Sequence, residues 1–561
     1  MNIASPGVLG RIAASRSQTL VLALGVCLGL ATVAVGKARA ADELSGADKL
    51  ATLYSAEFRF TQDGVPVVPI AVAQSARTVE IEAGADLRLL PEGEGGPEIR
   101  AGNAWRIHAS RTRGAKLRFW VVVFRGSARE GKEAAQALAL WEKRGQKARR
   151  FERGTLFAVS GEVLDRREIL VGVAPQGDAR AAEKKQQELA TRQGLEPKGV
   201  FAELVERPGG LLHAEGRHGG ARVSNEGVLW FASADPRPLR VSWTTAKGRG
   251  EGRYHGQVYV TVGRDGGLAV VNAVPANQML AGLVPAEIFP SAPDHALRAQ
   301  AVAARGELLA KVGTRHEGEP FRLCAEVHCQ VYAGAAAETP RTTAAVEATR
   351  GEILFTREGR QLVDTVYSAS CGGHTEHNEN VWLGTSPHPP LRGHRDHAPR
   401  RDDPYADGVP ESLVERYLTV PPPSYCGLAR QQGGNDRFRW TVRRSAAEMD
   451  RLLGPFKIGA LRAIEILGRG VSGRAHTVRV VGSAGREEIR GELRIRKAFG
   501  GLRSSLFVVD VAGGGATFRG GGFGHGVGMC QTGAIGMAEA QKSYREILGH
   551  YYRDSAIRKL W

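Results

Sequence analysis

Cysteine is scarce in this 561-residue chain, with six in all, and one of them, Cys27, falls in the N-terminal forty residues. The other five are Cys324, Cys329, Cys371, Cys426 and Cys530. An odd number excludes complete disulfide pairing within the chain, so at least one is free, metal-bound or joined to another molecule. Long apolar runs are missing after residue 35, so no later segment reads as a membrane-spanning helix. A phosphate-binding loop is missing too, because the glycine-rich stretch GGGFGHGVGMCQTGA has no Lys followed by Ser or Thr. Acidic residues fall short of basic ones, 59 against 76, which leaves a formal charge of +17. Such a surplus suits an anionic partner: nucleic acid, a membrane surface or an envelope polymer.

What is present narrows that choice. Residues 1–40 read as an export signal, with Arg11 and Arg16, an apolar run over 19–35, and Ala38-Arg39-Ala40 as the cleavage pattern. An uncleaved membrane anchor is the rival reading, whereas Val26 before Cys27 argues against a lipoprotein. Export points to a periplasmic or cell-envelope location and removes nucleic acid from the partners. The 72 glycines imply many turns and an α+β or β-rich architecture. At about 100–200 residues per domain, about three units are expected. Residues 41–110 form a small β-rich unit, with VPVVPIAVA and ARTVEIEAG as strands. Residues 116–207 predict the order βαββαβ: strands LRFWVVVF, GTLFAVS, EILVGVA and VFAELVE, and helices over 130–147 and 178–193, the second capped by Asp178. That is a ferredoxin-like unit, and its order and length resemble the SPOR domain, a module that binds peptidoglycan. The glycine-rich PGGLLHAEGRHGG and TAKGRGEGRYHG read as connections. Residues 235–561 carry the chemistry.

Four segments stand out there. In GLVPAEIFPSAPDHALRAQAVAARGELLAKVG, Ser291 is a candidate helix cap, and Leu297, Ala301, Ala304 and Leu308 share one face. Glu287 lies just before that helix among Val284, Pro285, Ile288, Phe289 and Pro290. Apolar surroundings raise a carboxyl's pKa and suit a general acid; on composition alone, an idle loop glutamate is the simpler account. The second segment, RHEGEPFRLCAEVHCQVYAG, holds His316, Cys324, His328 and Cys329, a ligand set suited to tetrahedral zinc although not at zinc-finger spacing. A Cys324–Cys329 disulfide or free thiols remain open. The third, VYSASCGGHTEHNENVW, places Cys371, His374 and His377 in what reads as a packed turn rather than a nucleophile and its base. The fourth, GGGFGHGVGMCQTGAIGMAEAQ, offers His525 and Gln531 as sugar-bonding groups on a loop whose glycines allow close approach. His388, His394 and His397 belong to a loop read as solvated.

Taken in order, VPAEI, ALRAQAVAARGELL, HCQVYAG, SASCGGHTE and GHGVGMCQTGA resemble the SpoIID/LytB family, stage II sporulation protein D and the amidase enhancer LytB. The resemblance spans residues 253–553, with 58–107 a candidate for the same fold. It implies a SpoIID-type mixed α/β catalytic domain acting on peptidoglycan glycan strands. Sporulation members are lytic transglycosylases, and their catalytic acid maps onto Glu287. Some members hold Zn2+ near the motif reading HCQVY here, which directs the zinc expectation to His316, Cys324, His328 and Cys329. LytB-type members imply a different role, as non-catalytic enhancers of a cell-wall amidase. The stretch NQMLAG departs from the family's E-x-Y-L-x-G at Asn277 and Met279, and RGELL replaces the Arg-Thr-Tyr of sporulation members, so sporulation itself is not implied.

Overall fold

The computed structural model describes residues 50–561 apart from 51–52, 56–58, 94–95, 160, 196–197, 218–219, 327–328, 359–360, 399–400 and 431–436. The expected leader lies outside the described residues. Among those described, no helix is long and apolar enough to cross a membrane. Helix and strand occupy 26% and 38% of the chain, which meets the α+β expectation.

The β-rich stretch after residue 58 does not close on itself. Its alternating strands, such as Thr78–Glu82 with Val79 and Ile81 turned inward, need partners on both edges. Thr78–Glu82 finds one in Ala104–Arg113 within the stretch, but the other lies more than a hundred residues downstream. A seven-stranded sheet pairs Pro66–Ala76 with Leu268–Pro275, and a six-stranded sheet pairs Thr78–Glu82 with Leu239–Thr245. Ile70, Val260 and Val270 of the first sheet share one core with Ile81, Trp105 and Val241 of the second. The glycine-rich stretches expected to be connections are strands here, Gly209–Gly216 and Gly248–Tyr254. Glycine is tolerated because bulky neighbours lie across it: Gly250 pairs with Trp243, and a Cβ there would sit 2.6 Å from the indole.

The βαββαβ unit is inserted between two strands of that body. Its antiparallel sheet runs Val200–Glu206, Lys116–Ser127, Glu168–Gln176, Ala148–Arg153. Helices Gly131–Lys143 and Ala179–Gln193 cover one face through Ala134, Trp141 and Leu189. Asp178 caps the second helix, accepting from Ala181 N–H at 2.8 Å, as expected. The second strand is not GTLFAVS but Ala148–Arg153. Leu156–Val159 instead forms a hairpin with Glu162–Asp165, because Phe157, Val159 and Leu164 pack into the main core.

One helix, Asp294–Lys311, organises the region around Glu287. It starts after Pro293 and draws no cap from Ser291, whose role as N-cap is therefore corrected. Its alanines admit neighbours on all sides: the helices Ala276–Glu287, Pro340–Ala348, Gln531–Glu539 and Tyr544–Tyr551 and the strand Glu352–Thr356. Even Arg305 is fully buried, donating to the carbonyls of Glu352 and Val346 at 3.1 and 3.2 Å. Gly306 lies under Thr365, whose hydroxyl donates to the Ala303 carbonyl at 2.6 Å. A Cβ at 306 would fall 2.3 Å from that oxygen. Gly306→Ala is therefore expected to cost about 1–3 kcal/mol in urea unfolding, and an unchanged midpoint would show that the contact is not tight.

Candidate active site

Glu287 is not in a loop before the long helix. It is the last residue of the helix Ala276–Glu287, most of whose other positions are buried. Its Oε1 accepts from Val331 N–H at 2.9 Å, and the Tyr367 hydroxyl also hydrogen-bonds the carboxyl. Burial raises the Glu287 pKa above the ordinary glutamate value, opposed by the Val331 N–H, the Lys311 charge and Tyr367. The helix C-terminus adds to the rise, since its carbonyls repel a carboxylate.

A polar network stands behind this carboxyl, and the sequence reading missed it. Lys311 Nζ lies 2.5 Å from Glu307 Oε1 and donates to the Cys329 carbonyl at 2.5 Å. Gln330 Nε2 reaches Glu307 Oε2 at 2.9 Å and the Tyr367 hydroxyl at 3.2 Å. Burial pushes Glu307 to about 7 against the pull of Lys311. Tyr367 is driven well above its ordinary value, again by burial, so it stays a neutral hydroxyl. A signal for the pair was available: Glu307 and Lys311 sit four residues apart in an otherwise alanine-rich buried helix.

The glycine-rich loop closes the other side. Gly528 has φ +68, and a Cβ there would sit 2.1 Å from the Val366 carbonyl. That closeness lets Tyr367–Ser368 pair in parallel with Met529–Cys530. Gln531 Nε2 donates to the Glu287 carbonyl at 2.8 Å and to Gln300 Oε1 at 3.1 Å. His525 Nδ1 accepts from Val527 N–H at 3.1 Å, and its ring also hydrogen-bonds the Tyr367 carbonyl. Burial lowers His525 to about 3, so the ring is neutral. The amide of Gln531 and the ring of His525 thus spend these hydrogen bonds on the protein, bracing Glu287 and Tyr367. Beside His525 stands Trp382, 37% exposed, with ring centroids 5.1 Å apart.

The expected metal ligands converge in part. His316 Nε2 lies 3.1 Å from Cys329 Sγ, and Cys324 Sγ lies 3.3 Å from it. Their donor atoms fall within 4.8 Å of one another. The Cys324–Cys329 pair is not a disulfide. The Cys329 thiol is pushed up, first by its hydrogen bond with Cys324 and then by burial. Two thiols and an imidazole this close fit a tetrahedral cation. His328 lies outside the described residues. His388, His394 and His397 form no joint cluster among the described residues, and the loop is not solvated throughout: His394 and Asp396 are buried. His374 bonds the Thr375 carbonyl at 2.7 Å rather than Cys371, as a packed turn requires.

Comparison with known proteins bears on this geometry. The SpoIID family profile, described as stage II sporulation protein, matches residues 264–355, which contain Glu287, Glu307, Lys311 and Val331. A domain of unknown function (DUF8618) matches residues 425–528. An uncharacterized protein of Brachyspira hyodysenteriae is 30% identical over 285 residues, 51% of this chain and 67% of that protein. The chain belongs to the SpoIID/LytB family. The amidase enhancer of Bacillus subtilis is 28% identical over 301 residues, 50% of this chain but only 40% of the enhancer. Stage II sporulation protein D of Bacillus amyloliquefaciens is 28% identical over 297 residues, 50% of this chain and 74% of that protein.

Within this SpoIID/LytB chain, the two departures from the family pattern turn out to be interior positions. Met279 is fully buried in the main core, and Asn277 Oδ1 accepts from the Trp561 indole at 3.3 Å. Glu307 yields a pH test. Its folded pKa of about 7 exceeds the ordinary 4.5, so between those values the folded chain keeps a proton that the unfolded chain releases. Stability therefore falls as pH rises through that window. Urea midpoints should drop more steeply from about pH 5 to about pH 7 for wild type than for Glu307→Gln. Parallel curves would rule this out.

Proposed function

We propose that this chain is an exported lytic transglycosylase. It would cleave the bond between N-acetylmuramic acid and N-acetylglucosamine in glycan strands stripped of stem peptides. The observation that carries the reading is Glu287: a half-buried carboxyl whose pKa burial raises, held by one N–H and one hydroxyl. Protonated Glu287 donates to the glycosidic oxygen. As a carboxylate it then takes the proton of the muramic 6-hydroxyl, whose oxygen attacks C1 and closes a 1,6-anhydro ring. Val331 N–H and the Tyr367 hydroxyl stabilise the carboxylate in between. One carboxyl serves both steps, unlike the paired carboxylates of hydrolytic glycosidases. The other carboxyl of the network, Glu307, is occupied by Lys311. Gln531 and His525 position this apparatus, and Trp382 offers an aromatic platform for a sugar face.

The βαββαβ insert is proposed as the SPOR-like module that holds the same strands. Zinc at His316, Cys324, His328 and Cys329 would be structural, fixing the turn whose next residues are Gln330 and Val331. Similarity to the amidase enhancer supports a second reading, a peptidoglycan-binding activator of a partner cell-wall amidase.

Digestion of denuded glycan followed by mass spectrometry separates the two. The transglycosylase releases 1,6-anhydromuramic ends unaided, and Glu287→Gln loses about 10²–10⁴-fold of the rate. Muramic ends carrying water, or full activity in Glu287→Gln, would sink the mechanism. No cleavage alone but stimulation of an added amidase selects the second reading. The rate should fall as pH rises through the Glu287 pKa. Tyr367→Phe removes a bond that favours the charged form, so its alkaline limb should lie at higher pH than in wild type; an unmoved limb counts against the Tyr367 contact. For the zinc site, a chelator should lower the melting temperature of wild type by more than that of Cys324→Ser/Cys329→Ser, and equal drops would count against a metal at these thiols.

A further inference from the structure

Three cysteines that the reaction above does not use converge on one buried aspartate. Cys371 follows the strand Tyr367–Ser368, Cys426 lies in the short helix Tyr425–Leu428, and Cys530 caps the helix Gln531–Glu539. Asp396 comes from the His- and Pro-rich loop. All four are fully buried, and their three sulfurs and a carboxylate oxygen lie within 4.8 Å of one another.

Two of the distances match the edges of a coordination tetrahedron. Cys371 Sγ is 3.7 Å from Cys426 Sγ and 3.4 Å from Asp396 Oδ2. Zinc bonds of about 2.3 Å to sulfur and about 2.0–2.2 Å to oxygen put tetrahedral ligands about 3.8 Å and about 3.5 Å apart. A disulfide needs about 2.05 Å, and none of these cysteines is paired. The backbone is arranged for anionic sulfur. Cys371 N–H and Gly533 N–H donate to Cys530 Sγ at 3.1 and 3.2 Å, and Gly373 N–H donates to Cys371 Sγ at 3.4 Å. Asp396 Oδ2 accepts from Cys426 N–H at 3.0 Å, and Oδ1 from the Tyr551 hydroxyl at 2.6 Å. Among the described residues no Lys or Arg forms an ion pair with Asp396, and His550 Nε2 lies 3.7 Å from its Oδ1. A fully buried carboxylate beside three thiols calls for a cation at its centre.

We propose that Cys371, Cys426, Cys530 and Asp396 bind one zinc ion, in a site separate from His316, Cys324 and Cys329. Three soft thiolates and one carboxylate in a closed tetrahedron suit zinc in a structural role. The ion joins three segments distant in sequence: the SASCGG turn, the loop carrying Asp396, and the glycine-rich loop. The last of these continues directly into Gln531, which holds the Glu287 carbonyl. The proposal rests on this cluster alone and stands whether or not the chain cleaves glycan.

Zinc per chain, counted by native mass spectrometry on the full-length protein, tests it. Cys426→Ser should carry one zinc fewer than wild type. Cys324→Ser/Cys329→Ser, which lacks the other thiol pair, should keep one zinc. Its zinc-edge absorption should read three sulfurs and one oxygen, and cobalt in its place should give a thiolate charge-transfer band. The cobalt and edge spectra do not depend on Cys426→Ser folding. Equal zinc in wild type and folded Cys426→Ser, a folded double variant without metal, or a Cys371–Cys426 disulfide in non-reduced peptide maps would each overturn the proposal.

Discussion

The hydrogen bond from Val331 N–H to Glu287 is the contact on which the site depends. It joins a carboxyl at the end of one helix to a turn forty-four residues further on. The turn keeps its place through its two preceding residues. The Cys329 carbonyl is held by Lys311, and the Gln330 amide by Glu307 and Tyr367. Lys311, Glu307 and Gln330 are buried and Tyr367 partly so, and a missing bond there would leave a polar group with little or no access to water. The carboxyl's proton affinity follows from that arrangement. Burial favours the neutral acid, and the N–H, the hydroxyl and the lysine moderate the shift.

The rest of the molecule supplies the burial. The helix Asp294–Lys311 can be enclosed because its buried residues are mostly small or apolar, and its buried charges are paired: Arg305 with two carbonyls, Glu307 with Lys311. The two β-sheets, contributed by segments on both sides of the βαββαβ insert, share one core with that helix. The insert can stand as its own unit because its sheet and helices close a separate core. Likewise residues between Arg439 and Gly521 enclose a core around Trp440, Phe499, Phe507 and Phe518.

Much of this was legible beforehand. Period-two alternation marked the strands, alanine spacing marked the central helix, and Asp178 marked a cap. The glycine-rich strands were misread because glycine carries no pattern of its own; its place opposite Trp243 depends on a pairing the local sequence does not reveal. GTLFAVS has a strand's pattern and forms a strand, but its apolar side chains are drawn to the main core instead of the four-stranded sheet. Glu287 was legible as an acid in apolar company. Its supporting residues were not, since Tyr367, Gln330 and Glu307 are ordinary residues until folding brings them together.

By itself, the sequence determined the family, the candidate acid and the α+β class, because ordered motifs and local periodicity are written along the chain. Tertiary structure alone decided what each motif touches. Asn277 and Met279 became interior residues, His525 and Gln531 became braces, and Asp396 met three cysteines from three separate segments. The reason is physical: burial and hydrogen-bond partners are set by contacts between residues far apart in the chain, and no local pattern encodes those.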